Sequence, residues 1–492
     1  MLNADLFRSG RWHRTSQTFQ LLSVSVETIT ETTITVRWRM SAGCTGQLEY
    51  GLTSAYGSTT TEETSTTYSE HVQTITGLSA GTTYHLRTKS TSAQGITIYS
   101  SDITAETTGS VVVTTRGPRA APAVPSGSNV YTIPGSIASN DTGDVGGAIS
   151  TWLNGLPTGS IALFTSTDTE GYQHGVDSPV ATYRMAAGIN VTRNDLTLWG
   201  YGTKINMVGN GGVHANSGVR FWVDGTCTIR GFEIGGPNTQ AGTNTAHVAS
   251  QQFAAAISIA GNNSVDVFDV WTHHTYGDGI FIAGWGDVDY TTNGPFEFAY
   301  NHIDLSGRYG MTINQSSLGP AWVHHNVIEN VALSLVGGED QRVGTGLVSA
   351  TVEDNDLGTF GWYNTTSWLA MGINWIYDYW APLPNMASVG PIIIRRNTWT
   401  GGCATAMFQT MGTSTQFISM RDVSSSSFGI YHDFSILDND WTGVPTAQRT
   451  VAYWAQIHNI QTVTITGNTN LGSMSSRVTT TGSTGVTVSG NS

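Results

Sequence analysis

Two segments, WTHHTYGDGIFI beginning at Trp271 and HIDLSGRYGMTI beginning at His302, hold side chains able to exchange protons or to carry charge beside a bound molecule. Aligned on Gly279 and Gly310, they set His273 level with Asp304. Aligning Asn301 with Asn326 then sets Asp304 level with Glu329. If these segments are rungs of a parallel stack about 4.8 Å apart, His273, Asp304 and Glu329 form a column on its outer face, with Asp278 and Arg308 beside it. Two carboxyl groups so spaced fall near the ~5–5.5 Å of retaining glycosidases, and their repulsion raises one of them into a proton donor. The same residues also fit solvated turns balanced by Arg308, and YGDG fits a turn that needs small or left-handed residues.

Other chemistries find less support. The pairs His273–His274 and His324–His325 are adjacent, so on a strand their rings point to opposite sides; with no HExxH present, no metal site and no cofactor are expected. Cys44, Cys227 and Cys403 are odd in number and far apart, which excludes a disulfide framework and a CxxC knuckle. GLSAG at 77–81 matches the nucleophile pentad G-x-S-x-G. A strand rather than a helix follows Ser79, so the nucleophile elbow does not apply.

The elements that must position the column are visible as a repeat. NHI at 301, NVI at 326, NDL at 355, NTW at 397, NDW at 439 and NTN at 468 each follow a β-rich run such as FEFAY, AWVHH or IIIRR. The asparagines are 25, 29, 42, 42 and 29 residues apart, and the shortest spacing suits one coil of a solenoid. Asn fits such a turn because its amide can bond to the coils above and below, satisfying backbone that would otherwise be buried unpaired. The longer gap between Asn355 and Asn397 requires an insertion. It holds Trp362, Trp368, Trp375, Tyr377, Tyr379 and Trp380, aromatic rings that could serve as platforms for sugar faces or cover an apolar flank. Ile149, Trp152, Leu153 and Leu156 mark a short amphipathic helix ahead of the repeat.

The first quarter of the chain has a different rhythm. TITVRWRM, GQLEYG, HVQTITGL and TYHLRTKSTS alternate with period two between closely spaced turns, and Ile34, Val36 and Trp38 share one face, as in a β-sandwich. Residues 117–128, GPRAAPAVPSGS, form an extended and fairly stiff spacer.

Trp38, LEYG, Leu78, Gly81, Tyr84 and Arg87, in that order, resemble a fibronectin type III domain. TYRMAAGINVTRNDLTLWGYGTKINM, YGDGIFIAG, SGRYGMTINQSS and ALSLVGGE resemble successive coils of the pectate-lyase-like superfamily. Together they imply an all-β chain: an arm at 1–18, a fibronectin type III β-sandwich at 19–109, a linker at 110–128, and a right-handed parallel β-helix with an N-terminal capping helix at 129–492. The superfamily's eliminating members use Lys or Arg as base with carboxylates on calcium. Here Arg308 is the one base on offer and GDVDY at 286–290 the faint calcium candidate, so hydrolysis fits better than elimination.

Formal charge is −14 with 11% charged residues, and no block of Lys or Arg occurs, which argues against nucleic acid as partner. The N-terminal segment lacks the apolar stretch of a secretory signal, and no apolar run is long enough to span a membrane. A sugar-acting fold without an export signal resembles a minor tail or tailspike protein of a bacteriophage virion. That resemblance implies attachment to other tail proteins through the N-terminal region, adsorption to host cell-surface polysaccharide, glycan cleavage if the column is open, and a homotrimer. The alternative is a secreted bacterial polysaccharide lyase or glycoside hydrolase.

Overall fold

The computed structural model describes residues 18–492 apart from 30–32, 77, 79–81, 107–115, 166, 175, 187, 209–220, 224, 253, 261–263, 284–294, 314–319, 339–347, 364–370, 378–388, 405–415, 423–431 and 450–452. Ser79 and the GDVDY segment lie outside the described residues. The fold is almost entirely β, with large parallel sheets in a β-helix-like architecture. Contacts divide the chain into two units, Met1–Thr114 and Thr115–Ser492.

In the first unit, strands Leu21–Ile29, Thr33–Met40 and Glu70–Thr76 form one antiparallel sheet, and Gln47–Gly51, Thr83–Thr91 and their short neighbours a second. The alternation of Thr33–Met40 sends Ile34, Val36 and Trp38 into the core, all fully buried, and Trp38 Nε1 donates to Ser90 Oγ at 2.8 Å. Trp38 also stacks on buried His71, whose ring nitrogens meet Cys44 Sγ at 3.2 Å and Glu63 Oε2 at 2.5 Å. Burial alone would lower the His71 pKa, but the bonds to Cys44 and Glu63 outweigh it and raise it to about 9. A folded-state pKa above the ordinary ~6.5 means the protonated ring stabilises the fold. That contribution is complete below pH about 6.5 and is lost as pH climbs through about 9. Denaturant midpoints at pH 6 and pH 9.5 should show a loss on the order of 1–3 kcal/mol, absent in His71→Gln; a flat profile in the wild type would refute the assignment.

In the second unit, the coils contribute strands to a ten-stranded parallel sheet running from Ile189–Val191 to Val478–Thr479, and from Phe296–Ala299 onward a strand precedes each turn asparagine. Apolar side chains at alternate strand positions, among them Ile257, Ile280, Met311, Val336 and Ile373, fill one continuous interior. Asn301, Asn326, Asn355, Asn397, Asn439 and Asn468 are fully buried. Each Oδ1 accepts from the backbone N–H and Nδ2 of the asparagine one coil earlier at 2.9–3.0 Å from Asn326 through Asn468. The residue ahead of each turns left-handed: Tyr300, His325, Asp354, Arg396 and Asp438 have φ of 53–59°, and Gly467 has 71°.

The helix Gly146–Gly155 buries Ile149 and Leu153, while Ser150 and Asn154 hydrogen-bond the edge of Ile189–Val191 through the Asn190 N–H and O and the Thr192 N–H. The linker, expected as an extended and fairly stiff spacer, is described from Arg116 onward. There it is a strap lying along the coils: the Gly117 N–H donates to His325 O at 2.8 Å, Arg116 reaches Asp356 and Thr398, Arg119 clasps Asp269, and the Ala121 N–H donates to Tyr172 O at 2.7 Å. Among the described residues no helix is long and apolar enough to cross a membrane.

Candidate functional site

The outward side of the ten-stranded sheet carries an unusual row. In register run Ser258, Phe281, Thr312, Gly337, Asn374 and Ser419, one residue from each successive coil. Strand alternation forces this, because the flanking Ile257, Ile259, Ile280, Met311, Ile313 and Ile373 point inward. Ser258, Thr312, Asn374 and Ser419 are buried, yet among the described residues the three hydroxyls and Asn374 Oδ1 find no hydrogen-bond partner. A buried polar atom without a partner carries a desolvation penalty of about 1–3 kcal/mol.

Asp278 and Arg308 stand at the strand entrances beside this row and pair with each other. Arg308 Nη1 donates to Asp278 Oδ2 at 3.2 Å, and the Tyr309 N–H donates to Asp278 Oδ1 at 3.1 Å. Both charged groups are buried. The Tyr309 ring lies against Gly337, where a Cβ would come within 3.1 Å of it. Arg308, the one base on offer for an elimination, is thus held in an ion pair with Asp278.

The expected column exists in register: the Asp304 N–H donates to Thr272 O and the Glu329 N–H to Ile303 O, both at 2.9 Å. Its chemistry differs from the expectation. His273 turns to Glu233, with Nε2 3.2 Å from Oε1, and Lys204 Nζ binds the same oxygen at 2.5 Å. Burial would raise the Glu233 carboxyl, but the hydrogen bonds from His273 and Lys204 override it and hold the group at about 2. The imidazole that joins Asp304 and Glu329 is instead His302, whose Nε2 lies 2.9 Å from Glu329 Oε1. One donor atom from each of His302, Asp304 and Glu329 lies within 4.8 Å of the others. Burial raises the Asp304 carboxyl above its ordinary range, against the hydrogen bond from Asn330 Nδ2 at 2.9 Å. His302 went unnoticed in the sequence although it sits two residues before Asp304, a signal that period-two reading contains.

The histidine pairs also need correction. His274 and His325 have φ of 55° and 56°, which turns each second ring back toward the first, so the Nδ1 atoms meet at 2.9 Å in one pair and 2.8 Å in the other. Of the aromatic insertion, Trp375 is 1% exposed and packs over Gly338 in the core, so it offers no sugar platform; glycine there leaves the space that its ring fills. Trp362 is half-buried, and Tyr377 lies in strand Met371–Tyr377. Trp368, Tyr379 and Trp380 lie outside the described residues.

No protein-family profile matches the sequence, and no curated protein matches it. Solved structures do resemble it. A family 28 exopolygalacturonase of Yersinia enterocolitica aligns at 12% identity and TM-score 0.39, covering 96% of this chain and 98% of that one. The catalytic unit of a thermostable GH87 α-1,3-glucanase from Streptomyces thermodiastaticus aligns at 13% and 0.38, covering 95% and 96%. Both are glycoside hydrolases, not lyases. The reading as a bacteriophage minor tail or tailspike protein of a virion is corrected by this finding, since the structures resembled are bacterial carbohydrate-cleaving enzymes.

Proposed function

We propose that the chain is a carbohydrate-active enzyme of the right-handed, pectate-lyase-like β-helix type, hydrolytic in action, which takes extracellular glycan along the outer face of its ten-stranded sheet. The observation that carries this reading is the row of Ser258, Thr312, Asn374 and Ser419, buried polar groups left without protein partners. The four residues are 0–4% exposed, so sugar reaches them only where the cover over the row opens; a chain of sugar hydroxyls would then supply donors and acceptors at successive coils. The buried ion pair of Arg308 with Asp278 favours hydrolysis over elimination. In this reading the first unit is a fibronectin type III-like module and the helix Gly146–Gly155 a cap over the first coil.

Thr312→Val and Asn374→Leu test it. Each should weaken binding to a responsive glycan, found by screening neutral and acidic polysaccharides for reducing-end release, by about tenfold or more. Each should also leave the melting temperature unchanged or raise it, because an unpartnered polar atom leaves the interior. Undiminished binding in both variants would sink the proposal.

A further inference from the structure

We propose that His302, Asp304 and Glu329 form a binding site for a divalent transition-metal cation of the zinc class, on a different sheet from the polar row and independent of the glycan reading. The donor set mixes one imidazole nitrogen with two carboxylates, and the three atoms already converge within 4.8 Å. A zinc ion between them would take ligand distances of about 2.0–2.2 Å.

The backbone beneath is held firmly. Asp304 follows directly on the strand His302–Ile303, Glu329 is level with Asp304 one coil on, and the Asn301–Asn326 ladder fixes that register just upstream. Neighbours set the orientation of each ligand. The Trp271 ring lies nearly parallel to His302 at 5.9 Å with 9° between planes. Asn330 Nδ2 donates to Asp304 Oδ1. Glu329 packs over Gly358, where a Cβ would come within 2.4 Å of the Glu329 Cβ. Metal sites depend on such outer contacts to hold their ligands.

Charge at the site is compatible with a cation. The buried carboxylates on these coils are matched by cations, Glu233 by Lys204, Asp269 by Arg119, Asp278 by Arg308 and Glu353 by Arg395 and Arg396, whereas the more exposed Asp141 and Asp440 bond to Asn206 and Asn470. Among the described residues Asp304 and Glu329 meet neither Lys nor Arg, so two adjacent carboxylates are left with one imidazole. A divalent ion neutralises both. Imidazole with carboxylates suits zinc or a neighbouring transition metal, whereas calcium takes about 6–8 oxygen ligands, more than this set provides.

The test uses the full chain, stripped with chelator and titrated calorimetrically with Zn²⁺, Mn²⁺ and Ca²⁺. The expected result is a single zinc ion per chain and far weaker calcium binding. His302→Gln and Glu329→Gln should each weaken zinc by roughly 100-fold, while His274→Gln leaves it unchanged. Glu329 is 35% exposed at its side chain, so its variant carries the test if His302→Gln misfolds. Co²⁺ should give a visible absorption band that Glu329→Gln abolishes. Zinc affinity unaffected by these variants, or lost with His274 instead, overturns the site. So would metal-free protein that cleaves glycan and stops on Asp304→Asn, which would make the two carboxylates a hydrolytic pair.

Discussion

Replacing Asn355 by Ala should lower the unfolding free energy by about 3–6 kcal/mol. Asn355 is fully buried in the turn ladder, and its Oδ1 accepts from the Asn326 N–H and from Asn326 Nδ2, both at 2.9 Å. Its own Nδ2 donates to Val323 O at 3.0 Å and to Asn397 Oδ1 at 2.9 Å. Alanine removes all four bonds and leaves the Asn326 N–H facing a methyl group where water cannot follow, so the penalty is that of orphaned buried groups rather than of bonds exchanged with solvent. Asn355→Asp should be no milder: it restores the acceptor but loses the donor and buries a charge beside two carbonyl dipoles. Because each coil contacts only its neighbours, the loss should be read locally as well as globally. Urea midpoints give the magnitude, and hydrogen exchange at the Asn326 amide should accelerate more than exchange at Asn468. A loss below about 1 kcal/mol would mean that the ladder is ornamental to the coil stacking.

That ladder was the most legible part of the sequence, because a turn repeated on every coil must use the same residue for the same reason each time. The register it implied was sufficient to level His273, Asp304 and Glu329. Side-chain direction within the column was not available from spacing: Glu233 and Lys204 draw His273 away, and both belong to earlier coils without an asparagine to align them. The His273–His274 and His324–His325 pairs were misread because a left-handed residue at a strand end reverses the alternation on which the reading relied. Trp375 was misread because composition cannot separate an exposed insertion from a strand crossing it; the inward pattern Ile373, Trp375 shows the strand only once Met371–Tyr377 is paired with its neighbours. The row Ser258, Thr312, Asn374 and Ser419 carries no local signal, since each is a common residue between two apolar ones. Only the stacking of coils makes it a row.

The strap should prove as consequential as the ladder, and through a single carboxylate. Asp269 is 1% exposed and left-handed at φ 57°. Its Oδ1 accepts from the Arg119 N–H at 3.1 Å and from Nε at 2.8 Å; Oδ2 accepts from Nη2 at 2.9 Å and from the Tyr201 hydroxyl at 2.5 Å. The Arg119 guanidinium also lies 3.7 Å from the Tyr300 ring centre. Asp269→Asn keeps a residue at ease in the left-handed turn, so the backbone is spared and the charge alone is lost. Removing one partner of a buried pair costs about 3–5 kcal/mol; Arg119 is 38% exposed at its side chain, and solvent screening should reduce the loss to about 2–4 kcal/mol. Arg119→Ala should lose a similar amount, since Asp269 would then keep only the backbone N–H of residue 119 and the Tyr201 hydroxyl. The double variant should lose less than the sum of the two, a coupling of about 1–3 kcal/mol, because each single change already releases the clasp. Limited proteolysis separates this from general destabilisation: cleavage within residues 116–128 should quicken in every variant under conditions where the coils stay intact. Additive losses with an uncut strap would show that Asp269 serves its own turn and not the segment laid across it.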